Sequence, residues 1–342
     1  MANVIDILNT IRANQDSFYQ DRIPVATATN IEDLGGTLLE NEALKNQFLN
    51  ALIHKIAFTI VSNRRFKNPL AVLKKGTIPF GTTVEEIFTN PVGAKVFDGS
   101  NTSDMLEVKK PDTKTIYHER NRQDKYSVSI SNAQLRSAFK SAGTFETFLN
   151  SIITAMYSGD EMDEYFLMRK VLSSAISKNK IVSHTVTYDG GEESCKELIK
   201  GIKTFASNFT FPSTQYNGYN KLNESDITSK TLTPATTWSP REKQVLLIRS
   251  DVDSATDVEV LAKAFNMEKT DFLKRKIVVD TFGDDKTLAL LCDESLFQIY
   301  DNEYVVKSFD NGSNLTTNYW LHHWQTISLS LFANAVAFKQ EA

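Results

Sequence analysis

Apolar residues near the start of the chain recur every three to four positions. This spacing gives a helix one apolar side. It predicts an amphipathic helix over Val4–Ile11 with Val4, Ile5, Ile7, Leu8 and Ile11 on its apolar side. A polar break follows at Asn14–Arg22, and a second helical pattern covers about Glu40–Val61. A short amphipathic helix docks either on its own domain or on a partner, and the pattern alone leaves both open.

Two strand-patterned arms flank a polar segment in the next part of the chain. The first arm is Lys74–Asn90, and the second is Lys109–Ile130. Between them, Pro91–Val108 is rich in the Gly, Asn, Asp and Ser residues that favour turns and loops. An isolated two-stranded ribbon is marginally stable in water. We therefore expect this ribbon to gain its order by lying on another copy of the same chain.

The centre of the chain predicts a long helix over Thr144–Asn179, with Gly159 tolerated or marking a bend. Shorter strand and helix patterns follow as far as Asp280, and strand patterns dominate from Leu288 onwards. The predicted strands are Lys180–Tyr188, Gln244–Ile248, Lys276–Asp280, Leu288–Cys292, Leu296–Tyr300, Tyr304–Phe309 and Tyr319–Phe338, and the predicted helices are Glu192–Ser207 and Ala255–Phe265. The mixed segment Ile181–Asp280 is interpreted as an α/β lobe inserted after the long helix, and the chain as a whole as an α+β protein.

Composition narrows the class of protein. At 342 residues, the chain exceeds the usual size of one compact core, so two lobes are expected. The net charge of −4 argues against a protein whose main task is to bind phosphate groups. No apolar run approaches the roughly 20 residues of a membrane span, and no secretory signal is present at the N-terminus. Cys195 and Cys292 lack metal-site spacing, which favours synthesis in a reducing cytoplasm.

Motifs for catalysis or cofactor binding do not emerge from the sequence. None of the five histidines forms an HExxH motif, and no phosphate-binding glycine motif occurs. The acidic group within Asp160–Glu164 is predicted to be a solvated helix face, because its neighbours specify no partner for acid–base or metal chemistry. We therefore predict no catalytic residue, no cofactor and no metal site.

Four segments together resemble the major capsid proteins of phi29-type small podoviruses. These segments and the long helix occur along this chain in the same order as in that family. They are IPFGTTVEEI at Ile78–Ile87, HERNRQ at His118–Gln123, DVEVLAKAFNMEKTDF at Asp257–Phe272 and WQTISLSLFANAVAF at Trp324–Phe338. Some members of that family continue into an immunoglobulin-like surface domain, which we expect to be absent from this chain.

The resemblance implies the HK97-type fold with its usual parts. These would be an N-terminal arm over residues 1–73, an extended E-loop over 74–130, the spine helix of the P-domain over 131–180, an A-domain over 181–287, and strands returning to the P-domain sheet over 288–342. It further implies a structural subunit of an icosahedral-type phage head, self-assembling into pentamers and hexamers around double-stranded DNA.

The resemblance also implies partners and a location. The main partner would be the chain itself, joined by a scaffolding protein during assembly and a portal at one vertex. Packaged DNA would be contacted only non-specifically, and no membrane would be involved. The protein would reside in the virion after assembly in the bacterial host cytoplasm. Two other possibilities stay open at this point: another ring-forming virion part, such as a portal or tail subunit, and a soluble α/β enzyme with a long hairpin.

Two groups of residues are candidates for contacts between subunits. Arg120 and Arg122 can pair with carboxylates across the ribbon or on a neighbour, and the candidate carboxylates are Glu85, Glu86 and Glu119. The apolar stripe of Val4, Ile7, Leu8 and Ile11 is a candidate for docking on a scaffolding protein or on a neighbouring capsomer.

Overall fold

The computed structural model describes residues 4–27, 29–59, 66–78, 83–95, 108–139, 148, 152, 154–257 and 275–341. The chain divides into two compact units. The first consists of Met1–Asn68, Arg122–Glu164 and Glu303–Trp324, and the second of Pro69–Asn121, Tyr165–Asn302 and Gln325–Ala342. Each unit is thus assembled from segments that are far apart in the sequence.

The described helices and strands alternate irregularly along the chain. The helices are α1 (Val4–Ala13), α2 (Ser17–Arg22), α3 (Ile31–Glu40), α4 (Glu42–Thr59), α5 (Asn132–Ala138), α6 (Gly159–Ser177), α7 (Glu192–Asn208), α8 (Gly218–Leu222), α9 (Glu224–Thr228) and α10 (Ser250–Thr256). The strands are β1 (Gly76–Thr77), β2 (Thr83–Thr89), β3 (Thr113–Glu119), β4 (Arg122–Ser131), β5 (Val182–Val186), β6 (Gln244–Arg249), β7 (Lys276–Val279), β8 (Thr287–Asp293), β9 (Phe297–Asn311), β10 (Thr316–Leu329) and β11 (Ala335–Gln340).

Helices α1 to α4 form much of the first unit. The apolar side of α1 packs into a core that also contains Leu38, Phe48, Phe139 and Met156, all at most 2% exposed. Helix α3 approaches Phe139 so closely that a Cβ on Gly35 would lie 2.5 Å from the Cβ of Phe139. Only glycine fits at that contact, because real Cβ atoms do not come this close.

A five-stranded mixed sheet forms the centre of the second unit. Its strand order is β5-β11-β8-β6-β7, with β8 antiparallel to both of its neighbours. Every residue of β8 is buried, because apolar layers cover both faces of the sheet. On one face, α6 contributes Met168 and Leu172, and on the other, α7 contributes Leu198 and Ile202. The remaining sheets are a four-stranded one, β1-β9-β10-β4, and the two-stranded ribbon β2-β3.

The predicted helices were partly confirmed. Helix α1 confirms the first amphipathic pattern and α4 most of the second, whereas α2 lies within the segment predicted as a polar break and α3 was not predicted. The long helix is confirmed for its C-terminal part, where a π-helical turn at Thr154–Ser158 leads into α6 at Gly159. Most of its predicted beginning lies outside the described residues, as does most of the helix predicted at Ala255–Phe265.

The strands predicted in the second half of the chain lie where they were expected, but some of their boundaries differ. The strand predicted over Tyr319–Phe338 is two strands, β10 and β11, whereas the strands predicted at Leu296–Tyr300 and Tyr304–Phe309 are one strand, β9. In the five-stranded sheet, β11 pairs with β5 and β8 pairs with β6. The assignment of residues 288–342 to the P-domain sheet stays a prediction. Strands β9 and β10 do lie in a different sheet.

Candidate assembly surface

The ribbon is shorter than its two predicted arms. Strands β2 and β3 pair antiparallel from Thr83 opposite Glu119 to Thr89 opposite Thr113. The rest of the second arm, β4, belongs to the four-stranded sheet instead. Asn121 marks the change, since its side-chain amide donates to the Ile327 carbonyl at 2.7 Å and accepts from the Ile327 amide at 2.9 Å.

One face of the ribbon is held by residues of its own unit. His118 is only 3% exposed, and both of its ring nitrogens have partners. Nδ1 lies 2.6 Å from the Ser328 hydroxyl, and Nε2 lies 2.9 Å from a carboxylate oxygen of Glu86. The other oxygen of Glu86 accepts from the Ser330 hydroxyl at 2.7 Å, and Phe88 stacks on Phe332 with ring centroids 4.9 Å apart. We call the ribbon side chains that face the chain in this way the inner face.

The far end of the ribbon is attached to the segment around residue 234. Asn90 donates to the Pro234 carbonyl at 2.8 Å. Lys114 donates to Asp112 at 2.8 Å and to the Thr233 hydroxyl at 3.1 Å. The hydrogen bond from Lys114, aided by one from Thr233, lowers the pKa of Asp112 to about 2. The expectation that the ribbon is ordered only on another copy is therefore wrong for β2 and β3.

The opposite side of the ribbon, the outer face, is exposed. Ile87 and Tyr117 are each 62% exposed, and next to the paired strands Val92 and Val108 are each 82% exposed. Glu85 lies on this face and accepts a hydrogen bond of 3.3 Å from the Tyr117 hydroxyl. No further strand of the described chain pairs with β2 or β3. Exposed apolar side chains on a mostly polar face, next to strand edges that no described strand covers, form a surface that can bind another protein.

Arg122 is not an exposed contact residue. It is 2% exposed and donates to Asp160 at 2.7 Å, to Asp124 at 2.6 Å and to the Tyr126 hydroxyl at 2.9 Å. Burial opposes its charged form, but the bond to Asp124 and the charge of Asp160 outweigh this effect and raise its pKa. The prediction that Arg122 pairs with Glu85, Glu86 or Glu119 is wrong, because its carboxylate partners lie in its own unit.

The acidic group on the long helix is also not a solvated face. Asp160 is 2% and Glu164 is 3% exposed. Asp160 accepts from Arg122 and from Nδ1 of His323 at 2.7 Å, while Glu164 accepts from the Asn68 side chain at 2.8 Å. These carboxylates are buried because hydrogen-bond partners from distant segments compensate their desolvation.

The N-terminal stripe docks on its own unit. Ile7, Leu8 and Ile11 are 6%, 4% and 0% exposed, within the first unit's core. The hypothesis that these three residues bind a scaffolding protein or a neighbouring capsomer is therefore wrong. The side chain of Val4, the fourth residue of the stripe, lies outside the described residues.

Of the predicted contact residues, the structure leaves three at the surface or near it. Glu85 and Glu119 are exposed on the outer face, and Arg120 is half-buried at the end of β3. Glu86 belongs to the inner face. Sequence analysis missed Ile87 and Tyr117, although each occupies the same alternating register as the exposed Glu85 and Glu119. That register is the signal that could have identified them.

Comparisons with known proteins point to one family. The model of the Phi29-like phage major capsid protein family matches residues 8–339. The chain is 36% identical to the major capsid protein of Bacillus phage PZA over 97% of its own length and 72% of that protein. It is also 36% identical to the major capsid protein of Bacillus phage B103, with the same coverage of both chains.

A solved structure gives the same indication for the fold. The capsid structure of Staphylococcus phage Andhra contains a chain that superimposes with a TM-score of 0.65 at 16% identity, covering 84% of this chain and 88% of that one. Among the described helices, none combines the length and the apolar character needed to cross a membrane.

Proposed function

Since the chain belongs to the phi29-like family of phage major capsid proteins, we propose that it builds the phage head as pentamers and hexamers that enclose double-stranded DNA. It is a structural subunit of the virion capsid with the HK97-type fold, not an enzyme, and it associates with copies of itself.

The observation that carries this proposal is the two-sided ribbon. Its inner face is bound within the unit, while Ile87 and Tyr117 on the outer face are each 62% exposed. A repeating contact between this face and a different surface of the next copy would generate closed rings. Glu85, Glu119 and Arg120 border the apolar residues and would form the polar rim of such an interface.

The proposal extends to partners and location. A scaffolding protein would guide assembly in the bacterial host cytoplasm, and a portal would occupy one vertex. The net charge of −4 supports only non-specific contact with packaged DNA, because tight binding to phosphates needs an excess of basic residues.

Electron microscopy of the overexpressed chain tests the proposed assembly. Closed polyhedral particles are the expected product. Isolated rings without closed particles would indicate a different ring-forming virion part, and a lack of any assembly by the pure chain and with its phage partners would contradict the proposal.

A variant with Ile87→Thr and Tyr117→Thr tests the outer face. Both side chains are mostly exposed in the single chain, so the variant should fold normally yet assemble far less than the wild type. The matched control carries Thr89→Ser and Thr113→Ser, a directly paired couple on the same face. The control should assemble normally, and equal particle yields from all three proteins would refute a role for the outer face.

A further inference from the structure

Helix α7 carries opposite charges at its two ends. The segment from Asp189 to Glu197 contains four carboxylates and one lysine, Lys196. From Leu198 to Phe209 there are two lysines, Lys200 and Lys203, and no carboxylate. The helix dipole favours such an arrangement only within the first and last turns. Lys200 lies more than a turn from the end of α7, so the dipole alone does not account for its position.

The charged side of α7 is exposed at Glu193, Lys200 and Lys203. The opposite side is buried on the five-stranded sheet through Cys195, Leu198, Ile202 and Ala206. On the outer side, Ile199, Lys200, Lys203 and Thr204 line an open, shallow surface. The stems of the lysines and Ile199 give this surface apolar area beneath its cationic groups.

The basic end of α7 is extended by residues from a neighbouring loop. The side chain of Arg241 donates to the Ser207 hydroxyl at 2.7 Å. Close to the same end, Phe211 and Trp238 are 66% and 52% exposed. Their backbone is fixed, because Ser213 and Thr237 exchange two hydrogen bonds of 2.9 Å each. Arginine and aromatic side chains held on a rigid backbone are the composition of an interface centre.

We propose that the basic, aromatic end of α7 binds the acidic end of α7 in a second copy of this chain. The basic surface is Lys200, Lys203, Arg241, Phe211 and Trp238. The acidic surface is Asp189, Glu192, Glu193 and Glu197. Because the two surfaces differ and complement each other, every copy in a ring uses each of them once, and ring closure leaves neither unpaired.

One chain carries both the basic surface and the acidic surface, and the two are complementary in charge. The partner that fits each surface is therefore a second copy of the same chain. Glu193 is 89% exposed at its side chain, and its 3.1 Å contact with Lys196 is a solvated ion pair that costs little to rearrange. The inference rests on the proposed function, since it assigns one of the contacts by which the subunits form rings. It concerns a surface distinct from the ribbon.

A charge-swap series in the full-length chain tests the inference. The first variant carries Lys200→Glu and Lys203→Glu, the second carries Glu192→Lys and Glu193→Lys, and the third combines all four changes. A control with Lys230→Glu and Lys286→Glu makes the same charge change as the first variant at two other exposed lysines of the same unit. Circular dichroism establishes that each protein is folded, and electron microscopy with sedimentation measures its assembly.

Placing like charges opposite each other should lower the assembled fraction of the first and second variants by at least about tenfold. The combined variant should recover much of the loss, because its two surfaces are complementary again. The control should assemble like the wild type. A milder variant, Lys200→Gln with Lys203→Gln, preserves the fold and should assemble with a weaker dependence on salt than the wild type.

The outcomes separate this inference from the proposed function. If the wild type forms particles and the first two variants form them equally well, the α7 contact is refuted while the capsid function stands. Loss of assembly without recovery in the folded, combined variant would also refute head-to-tail pairing. If the wild type itself forms neither rings nor particles, the proposed function fails.

Discussion

Replacing Arg122 by methionine should strongly destabilise the first unit. The guanidinium lies 2.7 Å from a carboxylate oxygen of Asp160, and the two side chains are 1% and 3% exposed. Methionine fills a similar volume but removes the guanidinium partner of Asp160, whose contact with Nδ1 of His323 would remain. Breaking a buried ion pair by removing one partner costs about 3–5 kcal/mol. Since whole domains are stable by about 5–15 kcal/mol, this loss is a large fraction of the total.

Urea unfolding of the unassembled chain measures the effect. All variants carry Trp238→Phe, which removes the tryptophan of the second unit, so fluorescence of Trp320 and Trp324 reports on the first unit. A double-mutant cycle compares Arg122→Met, Asp160→Asn and the variant that carries both changes. If the pair is coupled, the double variant should lose less stability than the two single variants together, by about 0.5–3 kcal/mol. Arg136→Met, at an exposed position of α5, is the control and should change stability by less than about 0.5 kcal/mol. A loss below about 1 kcal/mol for Arg122→Met, or strict additivity in the cycle, would refute the buried-pair interpretation.

Two further predictions concern Gly218 and Asp112 of the second unit, and a third concerns Gly36 of the first unit. Gly218→Ala should destabilise it by about 1–3 kcal/mol or more, because the new Cβ would lie 2.2 Å from the Lys180 carbonyl oxygen. Gly36→Ala, in open space on α3, should instead stabilise the chain by about 0.5–1 kcal/mol. Thermal unfolding of both glycine variants measures these changes. The hydrogen bond from Lys114 lowers the pKa of Asp112 to about 2 in the folded chain. The ionised carboxylate therefore contributes its full stabilisation of the fold above the unfolded pKa of ~4, and this stabilisation is lost as the pH falls towards 2. The difference in unfolding midpoint between wild type and Asp112→Asn should shrink over that range, and a constant difference would contradict the assignment.

Local periodicity predicted most of the described elements, because helices and strands each impose their own spacing on buried residues. The stripe of α1 and the short, continuous apolar runs of β6 and β8 are examples. Pairing partners were harder to predict. Strand β4 continues the alternation of β3 without a break in pattern, so nothing local reveals that the chain leaves the ribbon at Asn121 and enters another sheet.

The buried charges could not be predicted for a related reason. Asp160 and Glu164 lie on a helix next to other acidic residues, a pattern typical of a solvated face. Their partners are Arg122, 38 residues away from Asp160, and Asn68, 96 residues away from Glu164. Whether a carboxylate is buried depends on these distant donors, and a single sequence does not show which donors meet it.

The two faces of the ribbon have different consequences for assembly. Ordering a free ribbon on a neighbour would cost about 1–2 kcal/mol of backbone entropy for each residue fixed. The inner-face contacts of His118, Glu86 and Phe88 already fix the paired strands in the single chain. Most of that entropy is therefore lost during folding, not during association. An exposed face held in place beforehand binds with less loss of freedom than a mobile loop. The outer face can thus form weak contacts that reverse easily, yet still direct each new subunit to one orientation.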